Sequence, residues 1–221
     1  MIAATNLEKC QKLEYISDSQ GKSHERLSAQ IIEKALSLPE GVPIAAKALL
    51  HLGSRAAIDQ ALSRLRRRGQ LLRAGRGLYV RPVTGRFGSR APSVETLVEA
   101  VATRSGETIV PNGAASANKL GLTTQVPIRN VYLTSGPSRE LQLGMQVTEL
   151  RHAPNRQLLL PHCAAGEALR ALLWLGPETA EEALLTLKNK LKPSEFEALI
   201  ELAPMTPNWL AARLSARGSI V

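Results

Sequence analysis

The stretch SRAAIDQALSRLRRRGQLLRAGRGLYVR, residues 54–81, decides the fold. Ile58, Ala61, Leu62 and Leu65 recur at spacings of three and four, which is the single apolar stripe of an amphipathic α-helix. Ser54 is placed to cap its first turn and Gly69 to stop it. At about 100° per residue, Ala56, Gln60, Ser63, Arg64 and Arg67 fall on the opposite face. A small residue, an amide, a hydroxyl and two guanidinium groups are what a helix needs to enter a major groove and bond base edges. After Gly69, the short apolar runs Leu71-Leu72 and Leu78-Tyr79-Val80 flank Gly75-Arg76-Gly77, a hairpin signal. Helix and basic hairpin together read as a recognition helix and its wing.

Upstream, Leu27, Ile31, Ala35 and Leu38 set out a helix over 24–38 that Pro39-Glu40-Gly41 ends. Residues 44–52 suit a second short helix, with Pro43 near its start and Gly53 behind it. Helix, helix, turn, helix and hairpin in that order predict a winged helix-turn-helix over 24–81, whose third helix is presented to DNA. Charge singles out the same segment. From Ser54 to Arg90 there are ten arginines against one acid, Asp59, while the formal net charge of the whole chain is +9. The remainder is therefore electrically balanced, and the basicity belongs to a site rather than to overall composition. Broad phosphate binding is expected from this segment alone.

Residues 82–93, dense in Pro, Gly and Ser and without periodicity, read as a linker. Residues 94–221 then form a second domain. Ser93 caps a helix carrying Val94, Leu97, Val98 and Val101; strands are expected over 107–110, 130–134, 141–143 and 147–150, with an alanine-rich short helix over 113–120. Helices follow over 162–175, 177–191, 193–202 and 206–214. Strands in the middle and helices at the end make the chain α+β, a winged helix-turn-helix followed by a mixed α/β domain that closes in a helical bundle. Residues 1–23, polar and weakly patterned, are expected as a flexible or short helical N-terminal extension.

The chain of 221 residues suffices for two modest domains, and with 3% aromatics its core is expected from Leu, Ala, Val and Ile. No apolar run reaches the length of about 18 that a membrane helix needs, and Glu8, Lys9, Lys12 and Glu14 interrupt any signal-peptide core, so a cytoplasmic protein without membrane attachment is expected. Cys10 and Cys163 support neither a disulfide framework nor a zinc site. Gly75 and Gly77 flank one residue and open no apolar helix, unlike a dinucleotide or P-loop fingerprint. His152, His162 and Cys163 lack the spacing of a nucleophile, base and orienting group. Glu178, Glu181 and Glu182 open a predicted helix, where its dipole favours carboxylates without any metal. No catalysis, cofactor or metal is expected.

The sequence also resembles a known family. A basic winged helix ending Gly75-Arg76-Gly77-Leu78-Tyr79 is followed by Asn112-Gly113-Ala114-Ala115-Ser116-Ala117-Asn118-Lys119-Leu120-Gly121-Leu122-Thr123-Thr124-Gln125, by Val131-Tyr132-Leu133-Thr134-Ser135-Gly136, and by Leu150-Arg151-His152-Ala153-Pro154. This arrangement resembles the AbiEi-type antitoxins and transcriptional regulators of type IV toxin–antitoxin systems over roughly residues 24–200. The resemblance implies an N-terminal domain that binds double-stranded operator DNA, as inverted repeats, and represses its own operon. It implies a C-terminal domain that counters a nucleotidyltransferase-like toxin, and cooperative self-association of two molecules on paired half-sites.

On this reading Gln60, Arg64 and Arg67, with Ser63 on the same face, meet bases; Lys47, Arg55, Arg66 and Arg68 meet phosphates; and Arg73 and Arg76 reach a neighbouring groove from the wing. Asn118, Thr123, Thr124 and Gln125 serve either turn and capping chemistry or a partner surface. One rival is an ordinary winged-helix transcription factor with a ligand-sensing second domain. Another is an enzyme acting on nucleic acid, such as a nuclease, which needs clustered acids for metal ions, and Asp59 is the last Asp of the chain.

Overall fold

Ile58, Ala61, Leu62 and Leu65 are each within 1% of complete burial, so the stripe read from the sequence is the centre of a core. The structure is a computed structural model that describes residues 25–86 and 88–218; the expected N-terminal extension over 1–23, with Cys10, lies outside the described residues. The chain is mixed α+β and packs as two units, one running to Ala100 and including Gln142–Met145, the other Val101–Leu141 with Gln146 onward.

In the first unit, helix α1 over 25–36 buries Leu27, Ile31 and Ala35, one residue per turn. Helix α2 is Arg55–Arg67, and the Ser54 side chain accepts a hydrogen bond from the Ala57 N–H at 3.3 Å, as an N-cap does. Its end is a Schellman motif. Gly69 has φ 69°, its N–H donates to the Arg66 carbonyl, and the Gln70 N–H donates back to Leu65, each at 3.0 Å. The returning chain forms β2 (Leu72–Gly75) and β3 (Leu78–Val80), antiparallel, with Gly77 at φ 67° in the turn.

The second short helix expected over 44–52 is not what forms. Ile44–Ala45 is a strand, β1, paired antiparallel with β3 through Ile44 opposite Tyr79 and Ala45 opposite Leu78; only Ala46–Leu49 then turns, as a 3₁₀ segment. A helix of nine residues is marginal by itself. Pairing with β3 instead satisfies backbone groups, including the Ala46 N–H on the Gly77 carbonyl at 2.9 Å, and buries Ile44 and Ala45. The sheet order is thus β1-β3-β2. Residues 82–93, expected as a linker, also hold structure. Strands β4 (Val83–Gly85) and β5 (Gly88–Arg90) pair antiparallel in a second hairpin.

Helix α3 (Val94–Ser105) is capped by Ser93, whose Oγ accepts from the Thr96 N–H at 3.1 Å. Strands β6 (Ile109–Pro111), β7 (Asn130–Thr134), β8 (Arg139–Leu143) and β9 (Gln146–His152) form a sheet ordered β6-β7-β9-β8, antiparallel between β6 and β7 and parallel between β7 and β9. Helix α4 (Gly113–Lys119) packs along α6 (Ala164–Leu175) at a distance only glycine permits, since a Cβ on Gly113 would lie 2.4 Å from the Trp174 Cβ. A four-residue helix α5 (Asn155–Leu158) precedes α6, and the helices α7 (Ala180–Lys190), α8 (Pro193–Glu201) and α9 (Asn208–Gly218) follow it. Leu169, Leu172, Leu184, Leu187, Leu199, Leu210 and Leu214 fuse α6–α9 into one aliphatic core. No described helix is long and apolar enough to cross a membrane.

Candidate nucleic-acid interface

Because the stripe of α2 faces inward, geometry alone turns its other residues outward. Ala56, Gln60, Arg66 and Arg67 are exposed, and Arg68 just past the helix is too; Ser63 and Arg64 are half-buried. Arg64 Nη2 rests loosely on Gln60 Oε1 at 3.5 Å, an i, i+4 pair that keeps both groups on one face. Arg55 donates from Nε to Asp59 Oδ2 at 2.9 Å, and both side chains are more than half exposed. An exposed pair of this kind is worth about 0.5 kcal/mol, so a phosphate can compete for Arg55. Arg66 and Arg67 end the helix where its dipole favours cations, which helps hold three adjacent like charges together.

Lys47 is exposed on the 3₁₀ segment Ala46–Leu49 rather than on a helix. Arg73 is exposed on β2 and donates from Nε to the Gly75 carbonyl at 3.3 Å, and Arg76 is exposed in the turn. The hairpin β4–β5 adds cations that periodicity could not assign. Arg90 is exposed on β5, Arg86 is exposed in its turn, and half-buried Arg81 precedes it. Five of its six strand residues are exposed and Val83 is half-buried, so no apolar alternation marks it. Only the charge count from Ser54 to Arg90 pointed there.

Of the four candidate partner residues, Asn118 lies in the last turn of α4 and Thr123, Thr124 and Gln125 in the loop after it. Asn118 Nδ2 donates to the Gln125 carbonyl at 3.0 Å, and the Thr123 Oγ1 accepts from the Gln125 N–H at 3.2 Å, which is the turn-forming use of such side chains. Thr124 and Gln125 face solvent. His152 Nδ1 is hydrogen-bonded to the Gly136 carbonyl at 3.0 Å, and the Cys163 Sγ is directed to the Leu160 carbonyl at 3.6 Å. Among the described residues, no three His, Cys, Asp or Glu side chains are placed to hold a metal ion.

An outward row of guanidinium groups with one acid among them can form charge-assisted, often bidentate, hydrogen bonds to phosphates or to guanine edges. Comparison with curated proteins and with solved structures found no match. A family model matches residues 30–198, and the chain belongs to that family, described as a family of unknown function, DUF6088.

Proposed function

We propose that residues 24–81 are a winged helix-turn-helix that binds double-stranded DNA, with α2 as recognition helix and β2–β3 as wing. The observation that carries this is the ten arginines between Ser54 and Arg90, set around a helix whose apolar face is fully used in the core. The order α1, β1, α2, β2, β3, with the sheet β1-β3-β2 beside the helices, supports the same reading. Gln60, Ser63, Arg64 and Arg67 read bases. Lys47, Arg55, Arg66 and Arg68 hold phosphates, and Arg73 and Arg76 extend the contact.

The wider reading is an autorepressing antitoxin without catalysis, acting in the cytoplasm on an operator of inverted repeats. Its second domain counters a nucleotidyltransferase-like toxin, and two molecules associate cooperatively on DNA. It rests on the resemblance of Asn112–Gln125 and the segments around it to AbiEi-type proteins. A transcription factor with a ligand-sensing second domain is the alternative, and the cavity beside Arg170 described below favours it.

Titration of the full chain with duplex DNA over a range of salt tests the first step. If about six phosphates are neutralised, log K falls with log salt at a slope of about −5. A slope near zero would remove the electrostatic interface.

A further inference from the structure

Helix α6 buries an arginine among its alanines and leucines: Arg170 is 2% exposed. Its Nη1 donates to the Leu159 carbonyl at 3.3 Å, while Nε and Nη2 are buried with no acceptor from the protein. Those two nitrogens share one edge of the guanidinium, the side-on fork whose parallel N–H groups match two oxygens of a carboxylate or phosphate. Glu167, one turn earlier, does not fill the fork, because its Oε1 is held by the Lys119 Nζ at 2.6 Å. Burial draws the Arg170 pKa below its ordinary value while Glu167 and Cys163 pull it back up, and an arginine so placed stays charged at neutral pH. A buried charge without its full complement of partners is costly, so its presence needs a use.

Arg170 lines a cavity of about 350 Å³ together with Asn112, Gln157, Arg151, Leu173 and Trp174. That volume lies within the range of small-ligand sites. Leu173 and Trp174 follow Arg170 by three and four residues and so share its side of α6. Trp174 leaves 45% of its surface uncovered, an aromatic wall beside the guanidinium. Arg151 brings a second cation, chelated by Glu149 at 3.1 and 3.2 Å. The segment that supplies the Leu159 carbonyl is itself strained, with Leu160 at φ 46°, a conformation non-glycine residues keep where their surroundings impose it.

We propose that this cavity binds a small organic anion with a flat apolar group, its carboxylate or phosphate meeting the Nε/Nη2 fork of Arg170 and its flat part lying against Trp174. Both nitrogens are closed off from solvent, so on this proposal an anion reaches them only when a side chain lining the cavity moves. Neither the DNA-binding reading nor the antitoxin reading is needed for this site.

Thermal unfolding of the full chain with benzoate, adenosine monophosphate or inorganic phosphate tests it, the three probes separating carboxylate from phosphate chemistry. At a hundredfold excess over Kd, benzoate or the nucleotide raises Tm by about 5 °C. In Arg170→Met, which removes the fork and keeps an apolar side chain of similar length, that shift is lost. Trp174→Ala weakens benzoate binding tenfold or more and leaves inorganic phosphate unaffected. An equal shift in Arg170→Met, or no shift with any probe, overturns the proposal. Should Arg170→Met not fold, the emission of Trp174 in a Trp209→Phe chain decides instead. Saturable quenching by benzoate or the nucleotide supports the site, and its absence up to about 10 mM of all three probes refutes it.

Discussion

The segment Ser54–Arg90 and the second unit treat their cations in opposite ways. In the first, ten arginines share one acid, and that acid, Asp59, pairs with Arg55 in the open. In the second, five cations are matched to acids within the fold: Arg139 with Glu107 at 2.8 Å, Lys119 with Glu167, Arg151 with Glu149, and both Arg213 and Arg217 with Glu181. Paired charges tie elements together, as Glu107 and Arg139 tie the start of β6 to β8. Ten like charges so close together repel one another, and on the proposed reading a polyanion from outside relieves that repulsion. Charge of one kind therefore does structural work in one region and, on the proposed reading, serves a ligand in the other.

The strongest way to break this contrast is to remove the pair proposed to face the groove. Arg64→Ala with Arg67→Ala should abolish specific operator binding and repression, yet leave rescue of cells from the cognate toxin intact. A promoter reporter beside a growth assay at matched protein levels measures both. Loss of rescue would show that the antitoxin role depends on the arginine face. Taken singly, Arg64→Ala or Arg67→Ala should cost about 1–3 kcal/mol on the operator and relax sequence preference, whereas Arg66→Ala or Arg73→Ala should weaken operator and random DNA alike. Equal losses on both DNAs for all four variants would end the division into base and phosphate contacts.

A smaller effect sharpens the boundary of the basic region. If the β4–β5 hairpin reaches phosphates, Arg86→Gln with Arg90→Gln should weaken DNA binding roughly tenfold and make the salt slope shallower by about one to two, with no change in sequence preference. An unaltered slope would confine the interface to residues before Pro82.

The smallest effect lies on the matched side. Burial pushes the Glu107 carboxyl up, but hydrogen bonds from Arg139 and Thr134 outweigh it and hold the group below its ordinary 4.5. A depressed carboxylate contributes stability that is fully present above its unfolded pKa and is lost as pH falls through the folded one. Glu107→Gln should therefore cost about 1 kcal/mol at pH 7, with the difference from the parent shrinking as the solution is acidified below the ordinary carboxylate range. Denaturant melts at several pH values check it; a difference independent of pH would assign the loss to packing.

How much of this was legible in the chain depended on range. Helix α2, its Ser54 cap and its Gly69 stop, the hairpin after it, strand Asn130–Thr134 and the late helices could all be read. Their signals lie within a turn or two of the residues they order. The exposure of Gln60, Arg66 and Arg67 followed from the same periodicity, and the charge count marked out the basic segment without any structure.

What the sequence alone determined is thus where the helices run, which face of α2 is apolar and where the charge collects. Each is set by neighbours three or four residues apart, or by composition. Tertiary structure decided the rest. Ile44–Ala45 became a strand because β3, more than thirty residues on, offered a partner that buries both side chains. The β4–β5 hairpin stayed hidden because a ribbon that buries almost nothing writes no alternation into its sequence. Arg170 reads as one more polar position on a helix, and only the packing of α4 and the Leu159–Leu160 turn against α6 seals it beside a cavity, since burial is imposed by neighbours distant in the chain.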